Sequence, residues 1–305
     1  MDIITVLHNI AVLFLLLGVG YVARKRKLFD AAADGLMTRL VLNITMPALL
    51  ITAMVGGPAE MPRRILFYVM LMILLAFAAK GVLGFLSALA LGMPREKRGT
   101  VAAMVMFGNV GFMGFPLVYA LLGAEGLFIA SIFNVVFNLL VFSLGIKLVA
   151  GGGGKLSPWL FLNAPMVSSV IAILLFLLGI RLPYTIAVTL GHLGDMTIPL
   201  AMILLGSTLA GMDWKELFQD WRAYGIAVVK LLAAPLVVYL ALVRVVADPV
   251  LLHVVVLLSA MPVGTSLPML CIRYGGDQEL AGRGIFISTL LSLATIPLLA
   301  PLFLT

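Results

Sequence analysis

The chain has 305 residues, 63% of them hydrophobic and 11% charged, and a mean hydropathy of +1.20, whereas a soluble domain carries about a quarter charged residues. No aqueous globule has interior enough for that much apolar side chain, which excludes water-soluble enzymes and regulators. The net charge of +7 comes without a basic stripe interleaved with aromatics, so no nucleic-acid partner is implied.

Apolar runs of about 20 residues, the length that crosses hydrocarbon as a helix, recur from end to end. In chain order they predict ten transmembrane helices over 5–23, 34–55, 65–91, 99–122, 126–149, 159–180, 185–209, 217–246, 250–272 and 282–304. The expected fold is an all-α integral membrane protein with lipid around it. The first run is read as a helix and not as a secretory signal, because Arg24-Lys25-Arg26-Lys27 follows it without a small-residue cleavage site. Positive residues in short loops are retained inside. Loops on the side of that cluster hold thirteen Lys and Arg, against four (Arg63, Arg64, Arg181 and Arg244) on the other. Both termini are therefore expected outside the cytoplasm, in a bacterial-type inner (plasma) membrane. Cys271 is the single cysteine, so no intrachain disulfide or Cys-based metal cluster can form, and no cofactor or metal is indicated.

The run Gly151–Gly154, followed by Lys155, is the clearest linker. It divides the chain into a first five-helix unit over 1–150, a linker over 151–157 and a second unit over 158–305. A shift of 152 residues superposes Asn43-x-Thr45-x-Pro47 on Asp195-x-Thr197-x-Pro199, Pro116 on Pro268, Gly123 on Gly275 and Glu125 on Asp277. Lys80 meets Lys230 at an offset of 150. Five spans per half is odd, so the halves are expected to be inverted. The paired prolines fall inside the fourth span of each half, where a missing donor and a ring clash break a helix. Inverted repeats with matched broken helices point to a substrate site at the membrane midplane.

The first break, Gly108-Asn109-Val110-Gly111-Phe112-Met113-Gly114-Phe115-Pro116, brings glycines and an amide into the bilayer. The second, Met261-Pro262-Val263-Gly264-Thr265-Ser266-Leu267-Pro268, adds two hydroxyls. Kinked helices with small residues for packing would explain one such span; two at equivalent positions favour a site. The candidate substrate-binding residues are Asn109, Gly111, Gly114, Pro116, Pro262, Gly264, Thr265, Ser266, Pro268 and Asn43. The half-helix beginning after each break aims its positive end at the midplane, which attracts anions. Lys80 and Lys230 lie near the middle of the third and eighth spans, where an ammonium requires compensation. Asp195, with His192 one turn before it, is the carboxylate placed to pair with Lys230, as a neutral structural pair or as a proton or substrate switch.

Leu42-Asn43-x-x-x-Pro47-Ala48-Leu49, Asn109 seven residues before Pro116 in Gly114-Phe115-Pro116-Leu117, and Ala260-Met261-Pro262 leading to Tyr274-Gly275-Gly276-Asp277 together resemble the auxin efflux carrier family. These are the PIN-like and bacterial carboxylate carriers of the bile/arsenite/riboflavin transporter superfamily. The resemblance covers essentially the whole chain. It implies ten helices in two inverted five-helix repeats, helices four and nine crossing at their breaks, and a mobile bundle moving past a scaffold bundle in an elevator-like cycle. It further implies carriage of organic acids such as auxin, malate or malonate, with Asn109 on the carboxylate. The sequence departs from the plant pattern in that Pro262 and Pro268 are six apart, and Met261 stands opposite Asn109.

Other functions fit less well. No HExxH occurs and Asp195 is the only central carboxylate, which disfavours intramembrane metalloproteases and aspartyl proteases. A channel is separated from a carrier by counterflow. A sodium-coupled symporter of the bile-acid type is expected to place carboxylates around the crossing, and neither break contains one, so proton coupling or uniport ranks ahead. A homodimer is compatible with everything above.

Overall fold

The computed structural model describes residues 3–55, 63–151, 162–211 and 220–304. The linker at 152–157, with Lys155, lies outside them. The described residues are helical throughout apart from turns and one isolated bridge. The helices are α1 (Ile3–Lys25), α2 (Ala31–Leu40), α3 (Met46–Val55), α4 (Arg63–Ala90), α5 (Arg95–Met106), α6 (Phe115–Leu140), α7 (Ile146–Val149) and α8 (Ala164–Leu178). They continue with α9 (Tyr184–Asp195), α10 (Thr197–Gly211), α11 (Trp221–Val228), α12 (Ala234–Leu242), α13 (Pro249–Ser259), α14 (Leu267–Tyr274) and α15 (Gln278–Leu304).

Among the described residues, seven continuous apolar helices are long enough to cross a membrane, and two shorter apolar helices, Ala164–Leu178 and Pro249–Ser259, accompany them. The described helices do not map one to one onto the ten expected spans. The difference arises at the predicted breaks. The expected span 99–122 is divided, with α5 ending at Met106 and its continuation joined to the next span as a 40-residue helix, Val110–Val149. At about 1.5 Å per residue that helix is roughly twice as long as the hydrocarbon is thick. It turns at Gly123, whose φ of 62° suits a residue without a side chain. Gly275, its partner at the 152-residue shift, also has positive φ, 81°, and ends α14.

Wide helical turns, closed by hydrogen bonds one residue longer than usual, occupy Val41–Thr45, Val110–Gly114, Val141–Gly145 and Val229–Ala233. Three of these end two residues before a proline, at Pro47, Pro116 and Pro235. A proline leaves the carbonyl four residues earlier without its donor, and those carbonyls, of Asn43, Phe112 and Leu231, sit inside the wide turns. In the same way Pro199 frees the Asp195 carbonyl, where α9 gives way to α10.

The helices sort into two bundles by their packing. One comprises α1, α2, α3, α8, α9 and α10; the other comprises α4 to α7 and α11 to α15. In the first, α1 lies along α10 so closely that a side-chain carbon on Gly20 would overlap the Ile203 carbonyl, and one on Gly206 the Leu17 carbonyl. Small residues of this kind let membrane helices gain dispersion contacts that apolar lipid cannot drive by itself. The bundles meet chiefly across α6, which touches α1, α3, α8 and α10. Among the described residues, polar bonds cross that seam from Asn9, whose Nδ2 donates to the Ala120 carbonyl at 2.6 Å, and from Asn134, whose Nδ2 donates to Ser169 Oγ at 2.9 Å and to the Pro165 carbonyl at 3.4 Å.

Candidate functional site

Both helix breaks fall where the proline and glycine pattern puts them, and the structure brings them together. Phe107 to Asn109 runs antiparallel to Pro262 to Gly264 as a two-bond bridge. The Asn109 amide donates to the Pro262 carbonyl at 2.8 Å, and the Gly264 amide donates to the Phe107 carbonyl at 3.0 Å. Peptide groups stripped of helical partners thus satisfy one another in a place that water cannot serve. The approach demands glycine: a Cβ on Gly264 would lie 3.0 Å from the Gly108 carbonyl oxygen. A serine from α15 completes the second break, Ser288 Oγ accepting from the Val263 amide at 3.0 Å.

Asn109 is 3% exposed, and its two side-chain atoms have different fates. Its Oδ1 accepts from the Phe112 amide at 3.2 Å, capping the wide turn that opens the next half-helix. A half-helix starting at Pro116, as the proline alone would suggest, would leave position 109 too early to cap it. The wide turn moves the start back to Val110, which puts Asn109 at the capping position. Its Nδ2 has no hydrogen-bond partner. Gly111 lies half-buried with Met46 of the first bundle beside it, while Gly114 is buried against Leu258 and Pro116 is buried in the first turn of α6.

On the other break, Thr265 and Ser266 are exposed ahead of α14, and Pro268 is half-buried in its first turn. Asn43 is exposed and bonds its Nδ2 back to the Arg39 carbonyl of its own helix at 2.9 Å.

The charged candidates are dispersed. Lys230 is fully buried and donates from Nζ to the carbonyls of Val105, at 3.0 Å, and Ser259, at 3.4 Å. Asp195 and His192 are exposed at the α9–α10 junction, and among the described residues Asp195 forms no ion pair. The expected pairing of Asp195 with Lys230 is therefore absent: one is open to the surroundings, the other enclosed against backbone. Lys80 is buried over aromatic faces, its Nζ 3.9 Å from the Phe77 ring centre and 5.4 Å from that of Phe133. Ring quadrupoles supply its compensation.

Two residues gain weight from the structure alone. Thr45 and Thr197 are wholly buried, and neither hydroxyl has a partner. Thr45 closes the wide turn next to Met46, and Thr197 opens α10, which packs on the Val110–Gly114 turn. They are the middle residues of the repeated Asn43-x-Thr45-x-Pro47 and Asp195-x-Thr197-x-Pro199 motif, a signal that was present but pointed first to its outer members.

The sequence finds its counterpart among known proteins. A model of the family described as membrane transport protein matches residues 5–159 and again 159–300. The chain belongs to this family, the auxin efflux carriers. A Methanothermobacter thermautotrophicus protein named as an uncharacterized transporter is 30% identical over 303 residues, covering 95% of each chain. A Rhizobium meliloti protein named "Putative malonate transporter" is 25% identical over 300 residues, covering 93% of this chain and 91% of its own. As an auxin efflux carrier family member the chain is a multi-pass membrane transporter and not an enzyme.

Proposed function

We propose that this transporter carries small organic anions, malonate-like carboxylates among them, across a bacterial-type inner membrane, binding them at the paired breaks. The observation that carries this reading is the Asn109 Nδ2, a buried donor without a partner at the opening of a half-helix. An unsatisfied buried donor costs about 1–3 kcal/mol, a cost that a bound carboxylate would remove. The start of each following half-helix adds a positive end, and the exposed Thr265 and Ser266 add hydroxyls beside the second. The name of the Rhizobium meliloti relative agrees with a carboxylate cargo.

On this reading the chain forms ten spans in two inverted repeats with both termini outside. The bundle holding the breaks slides along the other as an elevator, by uniport or with a proton. Asn109→Asp tests the site, because it keeps an oxygen to cap Phe112 and replaces the free donor by an acceptor. Purified protein should melt higher in malonate or another small carboxylate. The variant should fold but lose affinity by about one to two orders of magnitude, the worth of a hydrogen bond to a charged group. Unchanged affinity in the variant would remove Asn109 from the site, and no response of the native protein to any mono- or dicarboxylate would end the organic-anion reading.

A further inference from the structure

Bridge formation at the crossing has a cost in carbonyls. In an unbroken helix the Val105 carbonyl would accept from the amide of residue 109 and the Ser259 carbonyl from that of residue 263. Here the Asn109 amide is turned to Pro262, and the Val263 amide to Ser288. Val105 is the next-to-last residue of α5 and Ser259 the last of α13, so both half-helices present their negative ends to the same point. Lys230 Nζ occupies that point, within hydrogen-bond distance of both carbonyls.

The charges match. Each helix C-terminus acts as roughly half a negative charge, so two converging ends balance about one ammonium. Among the described residues no carboxylate lies within ion-pair range of Lys230, which leaves the carbonyl ends as its counter-charge. Space has been kept for it: a Cβ on Gly108 would lie 3.2 Å from Nζ. Lys80 at the matching place in the first half is held by rings instead, so one ammonium alone serves both half-helices.

In ion-coupled carriers with broken helices, unwound carbonyls and half-helix C-terminal ends coordinate the coupling cation. We infer that Lys230 is a tethered cation occupying that place, so that the crossing is complete without any free monovalent cation and the carrier runs uncoupled from sodium. The role in transport rests on the carrier reading above. The test does not, because it involves no substrate.

Melting of the purified protein should be the same in matched sodium, lithium, potassium and choline chlorides. Lys230→Met, which keeps the length of the side chain and removes the charge, should lower the midpoint by roughly 5–10 °C, as expected when a buried charge is removed from its partners. Lys230→Ala should fall at least as far in choline chloride and recover in methylammonium or ethylammonium chloride, while Lys230→Met should not. Stabilisation of the native protein by sodium or lithium over choline would overturn the inference. So would a Lys230→Met variant as stable as the native protein, since the lysine would then serve only as packing. If Lys230→Ala fails to accumulate, the native salt series and Lys230→Met decide between them. A failure of carboxylate binding would leave each of these results standing.

Discussion

At the level of single residues, the decisive point is where each polar group finds its partner, and the clearest pair outside the membrane is Lys97 with Asp277. Their charged atoms are 2.6 Å apart, joining the first turn of α5 to the loop before α15. Burial pushes the Asp277 carboxyl up, but the Leu280 amide, the Lys97 ammonium and the Glu279 amide together outweigh it and hold the carboxyl below its ordinary value. Lys97 is raised, first by its hydrogen bond to Asp277 and then by that charge. The signs define a window. A depressed carboxyl contributes stability above the unfolded value of about 3.9 and loses it as pH falls through the folded value. A raised ammonium contributes below about 10.4 and loses it as pH rises through the folded value. Lys97 is half exposed, which keeps the pair within about 0.2–1 kcal/mol. Lys97→Met should therefore lower the melting point slightly at neutral pH, and the gap should close below about pH 4. A gap unchanged at acid pH would assign the loss to packing.

At the level of helices, the breaks were legible because proline and glycine act locally. Pro116 and Pro268 remove donors wherever they stand, and Gly123 and Gly275 take up positive φ at matching places. The wide turns were less legible, since a proline announces a freed carbonyl without saying whether the helix will bend, stop or widen around it. Partners across the fold were not legible at all. Lys230 meets a carbonyl 125 residues away, a distance on which helical periodicity is silent, and a carboxylate elsewhere in a span looked the better match. The backbone bridge gives the element-scale test. Gly264→Ala would set a methyl 3.0 Å from the Gly108 carbonyl oxygen, against backbone that cannot swing aside. It should cost about 1–3 kcal/mol, read as a lower melting point. Thr265→Ala, one residue on and exposed, should leave the melting point nearly unchanged; equal losses in the two variants would show that the close crossing is not what demands glycine.

At the level of the whole molecule, two bundles with a seam across α6 are the arrangement a sliding mechanism requires. With Cys271 replaced by Ser, cysteines at 9 and 120, or at 134 and 169, should trap the protein when bridged by a short thiol cross-linker, because these pairs face each other across the seam. A bridge between 97 and 277 joins two parts of one bundle and should leave malonate flux intact. Flux that survives the seam bridges would end the elevator reading. Single cysteines at 27 and 181 test orientation, since an impermeant reagent applied to intact cells should reach 181 and not 27. The crossing itself carries a consequence for how the chain tolerates change. Its two bonds join main chain to main chain, so the side chains of Phe107, Pro262 and Val263 take no part in them. A library of all substitutions across both breaks should thus find its least replaceable positions at Gly108 and Gly264, which hold no bond through a side chain, and relatives can drift in sequence around the crossing while its geometry is inherited intact.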